Sequence, residues 1–245
     1  MALKKLGFGL MRLPRLNPED PASIDLEQFK KMTDRFLARG FTYFDTAYMY
    51  HNSESERAVK SALTSRIDRD RYLLATKLPT MRLQEEADME RIFNEQLEKC
   101  GVDYFDYYLL HCLNTSTYAT ATQLDAFGFV LRKKAEGKVR RFGFSFHDTA
   151  EVLDKILTEH PEVEFVQLQI NYLDWDSPTT QSRLCYEVAR KHGKDIIIME
   201  PVKGGALANV PDSVSHILKQ SEHPQRTPAE WALRFAAGLP GVILV

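Results

Sequence analysis

The segment that decides the fold covers residues 41–50 and reads FTYFDTAYMY. Its first four residues, Phe41 to Phe44, are aromatic or β-branched, which is typical of a strand buried in a parallel sheet. Asp45 follows directly and would lie at the C-terminal end of that strand, where parallel α/β folds carry their functional residues. Tyr50 comes five residues later. The segment therefore predicts a buried strand that delivers two ionisable side chains to one edge of a sheet.

Two later strands are predicted to end in the same way. Residues 72–76 lead into Lys77, and residues 107–110 lead into His111. Because the C-terminal ends of parallel strands meet at one face, we expect Lys77 and His111 to lie beside Asp45. Each residue alone is commonly structural, as a helix cap, a packing aromatic or a buried histidine. Together they are a proton-transfer set, which favours a functional reading.

The composition is that of an ordinary globular protein. The 245 residues are 44% hydrophobic and 27% charged, and 32 basic against 34 acidic residues give a net charge of −2. This balance gives no electrostatic reason to expect a nucleic-acid partner or an anionic membrane surface. No apolar run has transmembrane length or resembles a signal segment. Cys100, Cys112 and Cys185 have no paired spacing, so we expect no metal site and a reduced, cytoplasmic setting.

Strand and helix patterns alternate along the whole chain. Strands are predicted at 6–11, 41–44, 72–76, 105–110, 138–144, 164–170, 195–199 and 241–245, and helices at 26–38, 53–63, 84–100, 123–136, 148–159, 177–192, 213–220 and 228–237. Ser53 and Glu56 form a candidate capping box for the second helix. No Gly-x-Gly-x-x-Gly follows a strand, so a dinucleotide-binding doubly wound sheet is not indicated. Eight such units predict an α/β fold, a (β/α)8 TIM barrel forming one domain over residues 1–245.

The last predicted strand reaches the end of the sequence at Val245. A (β/α)8 barrel normally continues with a helix at this point, so we expect a barrel truncated at the eighth strand, with its C-terminal part missing. Strands left uncovered would expose apolar surface. Self-association through that open face is therefore an expectation for this chain.

The four ionisable groups suit the reduction of a carbonyl group. Tyrosine and lysine both titrate near pH 10 when unperturbed, so neither is a useful acid alone. A cationic Lys77 beside Tyr50 would favour the phenolate and bring the tyrosine into the working pH range. Asp45 would hold Lys77 charged and in place, and His111 would orient the substrate oxygen. The hydride must come from a cofactor, because no side chain can donate one.

Four motifs closely resemble the aldo-keto reductase family: FDTAYMY at residues 44–50, ATKL at 75–78, YLLH at 108–111 and GFS at 143–145. The resemblance implies a (β/α)8 barrel, an NAD(P)-dependent oxidoreductase activity and an extended NADPH or NADH without a Rossmann fold. It also implies that Tyr50 is the general acid, that Lys77 and Asp45 tune it, and that His111 orients a small-molecule carbonyl or alcohol substrate.

The resemblance extends to cofactor-binding positions. Ser145 and Gln167 correspond to residues that hold the nicotinamide carboxamide, while Phe146 stands where much of the family has an asparagine. Met199 corresponds to the residue that covers the nicotinamide ring, and a soft thioether suits that role. The resemblance places a segment along the pyrophosphate, where main-chain N–H groups, the glycines and the Lys203 charge suit phosphate: Glu200, Pro201, Val202, Lys203, Gly204 and Gly205. Met11 and Arg12, after the first strand, are further candidates for cofactor contact.

The segments around residues 49–52, 167–175 and 199–205 resemble a bacterial branch of the family that carries a ferredoxin-like C-terminal extension. An iron–sulfur cluster is therefore expected only if the complete protein has such an extension. The family segment that grips the adenosine 2′-phosphate also lies beyond the eighth strand, which leaves the choice between NADPH and NADH open.

Two other functional hypotheses fit the same residues. One is a non-catalytic or regulatory barrel that keeps the nicotinamide cofactor as a redox sensor. The other is a Schiff-base enzyme in which Lys77 is the nucleophile. A neighbouring Asp45 argues against the second hypothesis, because it would keep the amine protonated.

Overall fold

The computed structural model describes residues 4–245, and in these residues eight strands form one sheet in the order β1 to β8 along the chain. The strands are β1 Phe8–Gly9, β2 Tyr43–Asp45, β3 Leu73–Leu78, β4 Phe105–Leu113, β5 Val139–Phe146, β6 Phe165–Gln169, β7 Asp195–Met199 and β8 Val242–Leu244. The α-helices are α1 Leu26–Ala38, α2 Ser55–Val59, α3 Glu86–Cys100, α4 Thr115–Gln123, α5 Ala126–Ala135, α6 Ala150–Glu159, α7 Ser182–Lys191, α8 Asp212–Lys219 and α9 Pro228–Gly238. The alternation predicted from the sequence is confirmed.

The segment after β4 differs from the sequence prediction. The sequence pattern predicts no helix between the strand at 105–110 and the helix at 123–136, but the structure has a helix, α4, over Thr115–Gln123. The Asn114 side chain accepts hydrogen bonds from the N–H groups of Ser116 (2.9 Å) and Thr117 (3.0 Å), and the Thr117 hydroxyl accepts from the Asn114 N–H at 2.9 Å. This reciprocal cap starts the helix, although its threonine-rich sequence has little amphipathic pattern.

The predicted capping box at Ser53 and Glu56 is wrong. His51, Asn52 and Ser53 all have positive φ angles (53°, 52° and 69°), so the chain makes a left-handed turn before α2 begins at Ser55. The helix continues past Val59 as one π-helical turn over Lys60–Thr64. The turn frees Glu56 from a capping role, and its side chain points into the protein with no exposed surface.

The described residues form two compact units. The first contains the chain up to Ser145 and residues 162–165. In it, β1 to β4 pair in parallel, with Asp45 opposite both Gly9 and Ala75 and with Lys77 opposite Leu109. This register brings the ends of β2, β3 and β4 to one edge.

The second unit contains residues 146–161 and 166–245. In it, β7 pairs in parallel with β8, and the Ile170 N–H after β6 donates to the Met199 carbonyl at 3.3 Å. Thr149 caps α6 and Thr227 caps α9 through hydrogen bonds to helix N–H groups, as Ser and Thr do at helix starts. Among residues 4–245, no helix is both long and apolar enough to cross a membrane.

Candidate active site

Lys77 and Asp45 form a buried ion pair. Lys77 lies in β3 with 1% of its surface exposed, and Asp45 ends β2 with 8% exposed. The Lys77 ammonium group donates to an Asp45 carboxylate oxygen, to the Thr46 carbonyl at 2.8 Å and to the Tyr50 hydroxyl at 3.3 Å. An ammonium group has three protons, so these three acceptors use all of its donor capacity.

The surroundings keep Lys77 charged. Burial lowers the pKa of Lys77, but the charges of Asp45 and Tyr50 and the hydrogen bonds to both outweigh it and raise the pKa above its ordinary value. Lys77 is therefore a permanent cation over the neutral pH range. Its nitrogen also lies 5.0 Å from the centroid of the Tyr50 ring.

His111 completes the group of four predicted residues. Its ring lies edge-on to the Tyr50 ring, with the centroids 5.8 Å apart and the planes at 79°. Strand β4 extends to Leu113, three residues further than predicted, so His111 is inside the strand rather than after it. The Thr80 hydroxyl donates to the His111 carbonyl at 2.6 Å, which fixes this part of β4 against the segment after β3. The structure thus brings Asp45, Tyr50, Lys77 and His111 together.

Tyr43 is a member of the site that the sequence reasoning missed. Its hydroxyl donates to the second Asp45 carboxylate oxygen at 3.2 Å, and its side chain is 2% exposed. Burial, and then the Asp45 charge, raise the pKa of Tyr43 well above its ordinary value, so it acts only as a neutral donor. Residues two apart in a strand share a face, and this periodicity could have identified the contact.

Three predicted cofactor residues lie in the same unit. Ser145 is buried in β5, and its hydroxyl accepts from the N–H of Cys112, the residue after His111, at 2.8 Å. Met11 and Arg12 follow Leu10, whose N–H donates to the Asp45 carbonyl at 2.9 Å. Met11 is 52% exposed. All three therefore lie on segments hydrogen-bonded to β2 or β4, the strands that carry Asp45 and His111.

The other predicted cofactor residues lie in the second unit. Gln167 is buried in β6, and Met199 ends the adjacent strand β7. In the segment that follows, Glu200, Lys203, Gly204 and Gly205 have positive φ angles of 58°, 48°, 62° and 101°. Pro201 and Val202 are half-buried in the same turn.

Lys203 has a partner that the sequence reasoning missed. Its ammonium group is paired with the Asp174 carboxylate. Asp174 is 5% exposed and also accepts from the side-chain amides of Gln169 (3.0 Å) and Asn171 (2.9 Å). Although burial opposes ionisation, the hydrogen bonds from Lys203, Asn171 and Gln169 lower the pKa of Asp174. Asp174 lies in a turn, and no local sequence pattern links it to Lys203.

No group of three or more His, Cys, Asp or Glu side chains among residues 4–245 is arranged to hold a metal ion. The first unit offers a hydroxyl group beside a fixed cation, with the imidazole ring of His111 edge-on to the ring of Tyr50. Such a set can deliver a proton to a developing oxyanion.

Comparison with known proteins identifies the family. The sequence profile of the Aldo/keto reductase family matches residues 5–245. An aldo-keto reductase of Mycolicibacterium vanbaalenii is 30% identical over 210 residues, which cover 85% of this chain and 69% of that protein. The aldo-keto reductase str7 of Strobilurus tenacellus is 29% identical, covering 84% of this chain and 60% of that protein.

Solved structures show the same fold. The chain is similar to an aldo-keto reductase of Klebsiella pneumoniae in complex with NADPH, with a TM-score of 0.73 and 21% identity over 99% of this chain and 80% of that one. It is also similar to the holo form of an aldo-keto reductase of Bacillus halodurans, with a TM-score of 0.70 and 21% identity over 99% and 81%. The fold class is α/β, the (β/α)8 barrel class predicted from the sequence. The chain belongs to the aldo/keto reductase family, and it is an NAD(P)-dependent oxidoreductase of the kind that its motifs predict.

Proposed function

We propose that the chain catalyses hydride transfer between a nicotinamide cofactor and a carbonyl or alcohol substrate, with Tyr50 as the general acid. The observation that carries this proposal is the contact of the Lys77 ammonium group with both Asp45 and the Tyr50 hydroxyl. A buried cation that is held next to a phenol makes proton release from that phenol easier.

The residues proposed to hold the cofactor suit a dinucleotide. Lys203, Gly204 and Gly205 have consecutive positive φ angles, so the main chain turns sharply here. The N–H groups of Lys203 and Gly205 donate to the Glu200 and Val202 carbonyls within the turn (2.9 and 3.0 Å), so we propose the Lys203 ammonium group as the main phosphate contact. A Cβ at Gly205 would meet nothing within 4 Å, so the main chain there is open to a ligand. Ser145 in the first unit is a buried polar side chain, and so is Gln167 in the second, as the proposed cofactor contact of each residue requires. A bound NADPH or NADH would supply the hydride.

The side chains then have distinct roles in reduction. His111 donates a hydrogen bond to the substrate oxygen and orients it. Tyr50 transfers its proton to that oxygen as negative charge develops there. Lys77 stabilises the phenolate that remains, and Asp45, held by Tyr43, keeps Lys77 in position. In the alcohol-to-carbonyl direction the same phenolate accepts the proton.

The Schiff-base hypothesis is disfavoured by the geometry. A nucleophilic lysine must be neutral. Lys77 is instead buried against the Asp45 carboxylate, and its pKa is raised.

We also propose that the substrate is a small aldehyde, ketone or alcohol. The protein is proposed to act in the reducing cytoplasm, since all three of its cysteines are free.

Substitution of Tyr50 tests the proposal. We expect Tyr50→Phe to lower kcat for aldehyde reduction by roughly 10²–10⁴-fold, the usual contribution of a general acid, with cofactor affinity nearly unchanged. Tyr48→Phe is the matched control, because the Tyr48 hydroxyl donates to Glu95 at 2.9 Å and has no part in the proposed reaction. Steady-state turnover of a panel of aldehydes, ketones and quinones with NADPH and NADH is the measurement. A Tyr50→Phe variant that keeps more than about half of the kcat would mean that another group supplies the proton.

Cofactor binding is tested separately in the second unit. We expect Lys203→Met to weaken the binding of NADPH or NADH about tenfold, because one charge facing the pyrophosphate is lost. Lys219→Met removes a charge at the end of α8 and should leave the dissociation constant unchanged. Calorimetric titration of both variants measures the effect, and equal affinities would remove Lys203 from the proposed site.

A further inference from the structure

The proposed mechanism leaves one buried acid unused. Glu56 lies in α2, and its side chain has 0% of its surface exposed. One carboxyl oxygen accepts from the Thr76 hydroxyl at 2.7 Å and from the Gln96 amide at 2.8 Å. The other oxygen is buried and has no hydrogen-bond partner among the described residues. A carboxyl group in this position needs an explanation, because unpartnered buried polar atoms are costly.

The hydrogen-bond network of Glu56 reaches the backbone of Lys77. The Gln96 amide nitrogen that donates to Glu56 lies 3.0 Å from the Lys77 carbonyl oxygen. The Gln96 amide oxygen accepts from the Tyr108 hydroxyl at 2.6 Å. Thr76 precedes Lys77 in β3 and is opposite Tyr108 in β4. The network therefore fixes the outer face of β3, while the Lys77 side chain projects from the opposite face toward Tyr50.

Burial opposes the ionised form of Glu56, and no cation is in direct contact with it among the described hydrogen bonds and ion pairs. Its two donors, Thr76 and Gln96, are neutral groups. The facing titratable groups on α3 are Lys99, whose ammonium group is 2.8 Å from Glu95, and Cys100, which is fully buried. The facing group on β4 is the buried Tyr108. Among the described residues, the Lys99 cation is paired with Glu95, which partly offsets its attraction for a Glu56 carboxylate, while burial disfavours the charge.

We propose that Glu56 is held as a neutral carboxylic acid and is a positioning residue for Lys77, acting through Thr76 and Gln96. A neutral acid retains an acceptor oxygen for both donors without burying a charge. Loss of that acceptor releases Thr76 and Gln96, and with them the backbone of Lys77. The kinetic consequence rests on the proposed role of Lys77, whereas the protonation state of Glu56 does not.

Two variants and one spectrum test the inference. Glu56→Leu keeps the approximate volume but removes the acceptor, and we expect kcat to fall about tenfold while KM for the carbonyl substrate and the cofactor dissociation constant change less than about twofold. Its pH–rate profile should also shift, because Lys77 is displaced from Tyr50. Glu56→Gln keeps an acceptor and the shape of a neutral acid, so it should recover most of the lost kcat and the original profile. Glu54→Gln is the control, since the Glu54 side chain is 45% exposed and pairs with Arg57 at 3.6 Å.

Infrared difference spectroscopy measures protonation directly. The wild type at neutral pH should show the C=O stretching band of a protonated carboxyl group, and Glu56→Gln should lack that band while Glu54→Gln retains it. If no such band exists, or if Glu56→Gln loses as much kcat as Glu56→Leu, Glu56 acts as an anion and the inference is wrong. A folded Glu56→Leu variant with wild-type kcat and pH profile would overturn the positioning role. If Tyr50→Phe remained active while the band was present, only the proposed role of Tyr50 would fail.

Discussion

At the scale of single residues, the chemistry of the site depends on which of its buried ionisable groups are charged. Lys77 and Glu56 are both almost completely buried, and one hydrogen-bond network connects the Glu56 side chain with the Lys77 carbonyl. We nevertheless infer that Lys77 is charged and that Glu56 is neutral. Lys77 has a carboxylate partner, and its pKa rises despite its burial. Glu56 has neutral donors only, and burial raises its pKa as well, which favours the uncharged acid. Direct pairing, rather than depth of burial, distinguishes them.

The Lys77 cation gives a prediction about pH dependence. Lys77→Met should slow carbonyl reduction and move its pH–rate profile to higher pH, because the charge that stabilises the Tyr50 phenolate is lost. Asp45→Asn should have the same effect more weakly, since the lysine remains. Profiles of kcat measured from neutral to alkaline pH check this. If both variants kept the wild-type profile, Lys77 would have a structural role alone.

At the scale of elements, strand β5 shows how backbone packing positions a functional side chain. A Cβ at Gly143 would lie 2.5 Å from the Phe165 carbonyl oxygen and 2.6 Å from its ring, so no side chain fits there. Ser145 follows two residues later on the same face of the strand and bonds the Cys112 N–H. The GFS motif therefore has a steric reason for its glycine as well as a chemical reason for its serine.

Gly143→Ala should lower the free energy of unfolding by about 2 kcal/mol, the usual cost of overpacking, and should weaken cofactor binding by displacing Ser145. Gly9→Ala is the matched strand control, because a Cβ at Gly9 would meet nothing within 4 Å. We expect the control to change stability by less than about 0.5 kcal/mol. Urea denaturation of both variants measures the difference, and equal stabilities would contradict the close approach of Phe165.

At the scale of the whole molecule, Glu56 links stability to pH. Its folded-state pKa lies above the ordinary value of 4.5, with burial as the largest cause. A raised carboxyl pKa means that the folded state binds the proton more tightly, so this contribution to stability is complete below about pH 4.5 and is lost as pH rises through the folded pKa. The free energy of unfolding of the wild type relative to Glu56→Gln should therefore fall as pH increases above that value.

Glu90 is a control for which the free energy of unfolding should change with pH in the opposite direction. A hydrogen bond from Lys133 is the largest cause that lowers its pKa, so the wild type should gain stability relative to Glu90→Gln as pH rises. The effect should be small, because the Glu90 side chain is 52% exposed. Chemical denaturation of both pairs over a pH series distinguishes the two slopes. Parallel slopes would show that Glu56 does not titrate differently in the folded state.

The sequence alone determined the order of the eight strands and identified the four ionisable residues. Apolar periodicity is local, so helix α1 occurs at Leu26–Ala38 and strand β7 at Asp195–Met199, as predicted. Asp45, Lys77 and His111 could be grouped because the ends of parallel strands meet at one edge, whatever the details of packing. Their chemistry then suggested Tyr50 as the acid.

Only the tertiary structure decided which groups pair across long stretches of chain. Gln96 meets Glu56 40 positions away, and Lys203 meets Asp174 29 positions away. No pattern within a few residues encodes such contacts, because they depend on how helices pack on strands. The left-handed turn at residues 51–53 also depends on tertiary packing. Because of this turn, Ser53 does not cap α2 as its local sequence predicts, and Glu56 is buried against Thr76 of β3. Burial and partner choice set charge states, so the chemistry of Glu56 follows from packing and not from its place in the sequence.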